Sequence, residues 1–175
     1  SATDADLQAL TLTTSALPTG ATFVDNGDGT GNFNWTPTFA QSGSYDVTFT
    51  ASDGTDTDGE LVTITVSNVN QAPVLAAIGP QSVNEGANLN FGVSASDADG
   101  TTPILTTTTP LPANATFTDN GNGTGTFNFN PDFTQAGTYN VTFYAADGTA
   151  TDSEQAVVTV GGTNQAPILA TIGPR

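Results

Sequence analysis

Metal or acid–base chemistry in this 175-residue sequence rests on carboxylates alone. Seventeen Asp and Glu residues stand against one Arg175, with no Lys, His, Cys or Met, for a formal charge of −16. Without His or Cys there is no soft metal site, thiol nucleophile or Ser-His-Asp relay, and without Lys no Schiff base or phosphate-gripping lysine. Two chemistries remain. A hard cation needs several converging oxygen ligands. Glycosidic hydrolysis needs two carboxyl groups flanking a cleft, one of them buried enough to keep its proton. The charge also excludes nucleic acid and anionic membrane surfaces as partners. Cations, neutral surfaces and copies of the chain itself remain.

Two acidic clusters carry these possibilities. DNGDGTG at 25–31 has the look of a calcium loop, but it returns as DNGNGTG at 119–125 with Asn122 in place of a carboxylate. The Asn-Gly and Gly-Thr steps specify a hairpin with positive φ angles, which explains the pattern without metal. DGTDTDGE at 53–60 returns as DGTATDSE at 147–154 with fewer carboxylates, and reads as a solvated loop with incidental cation affinity. Every carboxylate falls in an expected turn or on the wet face of a strand, so no enzymatic activity is expected. Phe33 and Trp35 could form a sugar-stacking platform. Their copies at Phe127 and Phe129 preserve the alternation, which reads as core. Glycosylation sequons at Asn34, Asn114, Asn122 and Asn140 have no copies at repeat-equivalent positions.

The elements that must position these residues follow from repetition. NQAPVLAAIGPQ from Asn70 returns as NQAPILATIGPR from Asn164, a period of 94 residues. The same offset relates Pro18 to Pro112, Phe23 to Phe117, Trp35 to Phe129, Tyr45 to Tyr139 and Asp53 to Asp147; SATDAD at Ser1 matches SASDAD at Ser94 with an offset of 93. The period divides the chain into an incomplete repeat at 1–69 lacking its first two strands, a complete repeat at 70–163, and the first strand of another at 164–175. A hydrophobic fraction of 36% with only 10% charged residues supports a folded chain rather than disorder. Strands are expected near 73–78, 87–96, 104–108, 115–119, 124–129, 138–145 and 154–160. Their spacing by Gly, Pro, Asn and Asp specifies an all-β sandwich of about seven strands per repeat. Tyr139, Val141, Phe143 and Ala145 alternate with polar residues and define an inward face, as do Tyr45, Val47, Phe49 and Ala51. Tyr45 and Tyr139 open their strands at the position of a tyrosine corner. No apolar run reaches a membrane-spanning length, and no signal-peptide pattern is present.

EGANLNFGVSASDADG at 85–100, TYNVTFYAADGTATDSEQAVVTV at 138–160 and the linker VSNVNQAPVL at 66–75 together resemble bacterial cadherin-like and dystroglycan-type immunoglobulin-like tandem repeats. The likeness spans the whole period. It implies a non-enzymatic repeat of an extracellular surface protein, adhesin or filament, acting as spacer or adhesive unit, with a glycan- or protein-binding module as the alternative. It also raises calcium between adjacent repeats. The resemblance places Asp97, Asp99 and Asp147 opposite the linker residues Asn68 and Asn70, and Glu85 beside the second linker, although the linker itself has no carboxylate. Against this, the aspartates can cap turns through their own backbone with no metal. No cofactor is required. Copies of the chain or adjacent repeats in a linear assembly are the expected partners. Residues 164–175 match a strand that the first repeat lacks, so they are expected either to enter the first repeat of a neighbouring molecule or to continue a longer array.

Overall fold

A computed structural model describes residues 1–171 and 173 and is built from strands, with one short 3-10 turn at Phe39–Gln41. The chain divides into two compact units, Ser1–Asn70 and Gln71–Arg175.

Unit 1 contains β1 (Thr11–Thr14), β2 (Thr22–Asp25), β3 (Gly31–Asn34), β4 (Gly43–Ser52) and β5 (Thr57–Val66). β1, β4 and β5 form one antiparallel sheet, and β2 and β3 form a hairpin. Unit 2 contains β6 (Val74–Leu75), β7 (Gln81–Asn84), β8 (Leu89–Ser96), β9 (Ile104–Thr107), β10 (Ala115–Asp119), β11 (Thr124–Phe129), β12 (Gly137–Ala146) and β13 (Thr151–Gly161). These make two four-stranded sheets, ordered β10-β11-β8-β6 and β7-β13-β12-β9. The two sheets enclose one core, so unit 2 is an immunoglobulin-like β-sandwich.

The core follows the alternation in the sequence. Val141, Phe143 and Ala145 of β12, with Ala156, Val158 and Val160 of the neighbouring β13, are buried in one core with Phe127 and Phe129 of β11 in the other sheet. Phe143 meets Phe117, Phe127 and Phe91 edge-on at ring separations of 5.2–5.9 Å, the geometry that aromatic quadrupoles favour. Both tyrosine corners form: Tyr139 donates to the Gln135 carbonyl at 2.9 Å and Tyr45 to the Gln41 carbonyl at 3.0 Å. Gly125 pairs with Asp119 in the β10–β11 hairpin with the Phe117 ring lying over it, and a Cβ there would run into that ring; Gly31, paired with Asp25 and covered by Phe23, repeats the arrangement.

Two elements differ from the sequence expectation. Gln81–Asn84 forms a parallel strand against β13, where alternation was too short to signal one. β13 also starts earlier, at Thr151, because Asp152 pairs opposite Ala145 and extends the ladder into what reads as a loop. The described part of 164–175, residues 164–171 and 173, contains no strand, and Ile172, Pro174 and Arg175 lie outside the described residues.

Phe143 is fully buried, so Phe143→Ala is expected to cost about 3–5 kcal/mol. Tyr139→Phe, which strips the Gln135 carbonyl of its donor, is expected to cost about 1 kcal/mol. Chemical denaturation followed by circular dichroism checks both; a tolerated Phe143→Ala would show that the aromatic cluster does not hold the sandwich.

Candidate functional site

The turn after β8 holds the most unusual carboxylates of the chain. Asp97 Oδ1 accepts the Asp99 N–H at 2.7 Å, an Asx turn, and Asp99 Oδ2 accepts the Gln71 N–H at 2.6 Å. The remaining oxygens, Asp97 Oδ2 and Asp99 Oδ1, are buried and have no hydrogen-bond partner. A buried charged oxygen without a donor is costly, and a hard cation is one species that would relieve it. The matching turn of unit 1 uses Asp4 Oδ1 to accept the N–H groups of Asp6 and Gln8.

The other sequence-derived candidates are placed as follows. Asp147 Oδ1 takes the N–H groups of Thr149 and Ala150, each at 2.6 Å, and closes the β12–β13 turn. Glu85 is buried, with Oε1 on the Ala136 N–H and Oε2 on the Thr163 N–H, both at 2.8 Å. It ties the β7–β8 turn to the β11–β12 connection and to the exit of β13. Asn68 and Asn70 are exposed and belong to unit 1, after β5, whereas Asp97, Asp99, Asp147 and Glu85 belong to unit 2. Among the described residues, no three carboxylates gather closely enough to hold a metal by themselves.

The hairpin clusters are structural. Asp25 Oδ2 accepts the Leu12 N–H at 2.9 Å and Oδ1 the Gly27 N–H at 3.0 Å; Asp119 does the same with Leu105 and Gly121. Each aspartate thereby pins the start of β1 or β9 to its hairpin. Asp28 accepts from the Thr30 N–H and hydroxyl, and Asn122 makes the same two bonds to Thr124, so the charge at this position is dispensable. Gly27, Gly29, Gly121 and Gly123 all have positive φ, as the turn chemistry requires.

Sequence reading missed a pair of anchors. Asp152, read as part of a solvated loop, and Glu154, expected to open the strand, both sit on β13. They accept the N–H groups of Leu75 at 2.8 Å and Ile78 at 3.4 Å, holding the segment around β6 to the sandwich. The recurrence of Asp58 and Glu60 at the period of 94 was the available signal.

Trp35 is half-buried, edge-on to Tyr45 at 4.8 Å, and its indole N–H is donated to the Thr19 carbonyl at 3.1 Å. That fixes it as packing, with its counterpart Phe129 fully buried against Tyr139.

Residues 70–161 match the bacterial Ig domain family, and residues 1–67 match a second Ig domain family. Among curated proteins, a chitinase A from Pseudoalteromonas piscicida is 39% identical over 66 residues, which is 37% of this chain and 8% of that protein. Among solved structures, an endo-fucoidan hydrolase of glycoside hydrolase family 107 aligns over 91% of this chain and 24% of its own, at 23% identity and a TM-score of 0.47. Titin domain M7 aligns over 55% of this chain and all of its own, at 15% identity and a TM-score of 0.42. The chain thus spans a small part of the two hydrolases.

Four aspartates have carboxyl groups held below the usual aspartate range by donated hydrogen bonds. The donors are the Leu12 and Gly27 N–H groups at Asp25, the Thr30 hydroxyl and N–H at Asp28, the Asp56 and Thr55 N–H groups at Asp53, and the Thr134 hydroxyl and N–H at Asp132. A lowered folded value means the unfolded chain takes up protons first. The stability these groups contribute is therefore complete above the ordinary aspartate value of about 4 and is lost as pH falls through the lowered values. Denaturation midpoints measured down a pH series should fall only below about pH 4. Asp28→Asn, which copies Asn122, should leave the neutral-pH midpoint nearly unchanged and flatten the acid loss; an unchanged acid profile would refute the role given to Asp28.

Proposed function

On the premise that the chain belongs to the bacterial Ig domain family, we propose that it is a non-enzymatic spacer segment of an extracellular bacterial protein, a tandem array that extends linearly from a surface or between functional domains. The observation that carries this reading is the way the carboxylates are used. With one Arg in the whole chain, they bind backbone N–H groups of turns and strand ends, so they build the fold rather than line a reaction cleft. A rigid sandwich repeated at a fixed period suits mechanical extension. The partial match to a chitinase and the acidic, Lys-free surface support an extracellular setting.

The orphaned oxygens of Asp97 and Asp99 fit a second, subordinate role for this turn: a weak calcium site that stiffens the turn after β8. Asp97 and Asp99 would supply the carboxylates; Asp147 uses Oδ1 to close its own turn and does not gather with them into a three-carboxylate group. Glu85 would act at the other end of unit 2 by fixing the exit of the chain, since both its oxygens already hold peptide N–H groups.

Retention on immobilised chitin and fucoidan tests the spacer reading; the intact chain should flow through, and specific retention would favour the glycan-binding alternative. Calorimetry tests the calcium site. Binding is expected with a dissociation constant of about 0.1–1 mM, as in extracellular modules, and should vanish in the double variant Asp97→Asn, Asp99→Asn. No heat from the unaltered protein would remove calcium from the mechanism.

A further inference from the structure

Two Asn-Gly steps stand side by side at the tip of the β10–β11 hairpin, Asn120–Gly121 and Asn122–Gly123. A step of this kind can modify itself. The glycine peptide nitrogen attacks Cγ of the asparagine side chain; the N–Cγ bond forms, the Cγ–Nδ2 bond breaks, and the nitrogen's proton passes through water to the departing amide, which leaves as ammonia. Water then opens the cyclic imide to aspartate, or to the isomer whose main chain runs through the side chain. No oxidant, cofactor or second protein takes part. The reaction needs a peptide nitrogen that is not already donating, a carbonyl oxygen stabilised as it gains negative charge, and a leaving nitrogen that is not held.

The two steps differ in all three respects. The Gly121 N–H donates to Asp119 Oδ1 at 3.0 Å, and Asn120 Nδ2 donates to the Thr124 hydroxyl at 2.9 Å. Nucleophile and leaving group of the first step are therefore both tied. Asn26–Gly27 of unit 1 is tied in the same way, by Asp25 at 3.0 Å and Thr30 at 2.8 Å. In the second step, neither the Gly123 N–H nor Asn122 Nδ2 donates to any group among the described residues. Asn122 Oδ1 instead accepts twice, from the Thr124 N–H at 3.1 Å and the Thr124 hydroxyl at 2.6 Å. Two donors on one carbonyl oxygen are the arrangement that stabilises an oxyanion in acyl transfer. The hydroxyl is the stronger donor for accepting from Asn120. The bond to the Thr124 N–H also closes an Asx turn, which folds the Asn122 side chain back over the Gly123 peptide. Gly123 is packed beneath the Ala95 carbonyl, which fixes the tip, whereas Asn122 is exposed, so water reaches its amide.

We infer that Asn122 is a self-modification site, converted by the Gly123 nitrogen to aspartate and isoaspartate, and that Asn120 beside it is spared. The fold accepts the first product: unit 1 carries Asp28 at this position, and Asp28 Oδ1 takes the same two donors from Thr30. Isoaspartate lengthens the main chain by a methylene and mismatches a tip that the Asn120 N–H closes on the Thr124 carbonyl at 2.9 Å. Either product adds a negative charge to a chain whose formal charge is already −16. The modification is independent of the spacer reading.

Incubation of the full chain at mildly alkaline pH, with peptide mapping by mass spectrometry at intervals, tests the inference. Asn122 should convert about tenfold or more faster than Asn120 and Asn26, a single hydrogen bond being worth up to about that factor. In denaturant, where the turn is gone, the three Asn-Gly steps should convert at similar rates. Thr124→Val, which takes the hydroxyl from Asn122 Oδ1, should slow Asn122 in the folded protein, and Thr124→Ser should restore it, with circular dichroism confirming the fold of both variants. Equal rates at Asn120 and Asn122 in the folded protein, faster conversion of Asn120, or an unaltered rate in folded Thr124→Val would each overturn the inference.

Discussion

A carboxylate in this protein has almost no cation to pair with, and the fold is organised around that fact. One Arg faces seventeen acidic side chains, so stabilising partners must come from the backbone. Peptide N–H groups at turns and strand ends are otherwise unsatisfied donors, and an ionised carboxylate is a strong acceptor for them. Asp25 and Asp119 fasten strands to hairpins, Asp53 and Asp147 close the long β-turns, and Asp152, Glu154 and Glu85 stitch the first and last segments of unit 2 onto its body. The acidity that suggests a calcium protein is spent mainly on turns.

The exception is the turn after β8. There two oxygens are buried without donors, while their neighbours on the same carboxylates follow the common pattern. The difference between a turn whose carboxylates are fully satisfied and this one is thus one oxygen per aspartate. Asn122 in place of Asp28 makes the complementary point: where the side chain only accepts from its own turn, an amide does the work of a carboxylate.

Comparison of the two units separates what a hydrophobic pattern supplies from what completes a sandwich. β4 and β12 have the same alternation and the same tyrosine corner, and Val47 and Val141 are both buried. Yet Phe33 and Phe49 of unit 1 remain partly exposed where Phe127 and Phe143 of unit 2 are sealed. Burial of an aromatic face needs a second layer, and in unit 2 the layer comes from β6, β7 and β8. The apolar face of a strand specifies which way it points but not whether anything covers it.

Local chemistry settled much of this protein in advance. The all-β class, the hairpins at 25–31 and 119–125, the buried faces of β11 and β12 and both tyrosine corners follow from alternation, turn residues and repeat spacing, because strands and tight turns are governed by contacts between residues near in sequence. The parallel pairing of β7 with β13 and the anchoring of Leu75 by Asp152, 77 residues away, do not. Both depend on which strands lie side by side, and a four-residue strand or a single carboxylate carries no periodicity from which to read a distant partner. The sequence therefore determined the hairpins, the inward faces and the class of fold, and the assembled sheets decided which carboxylates found N–H groups and left the Asp97 and Asp99 oxygens without them.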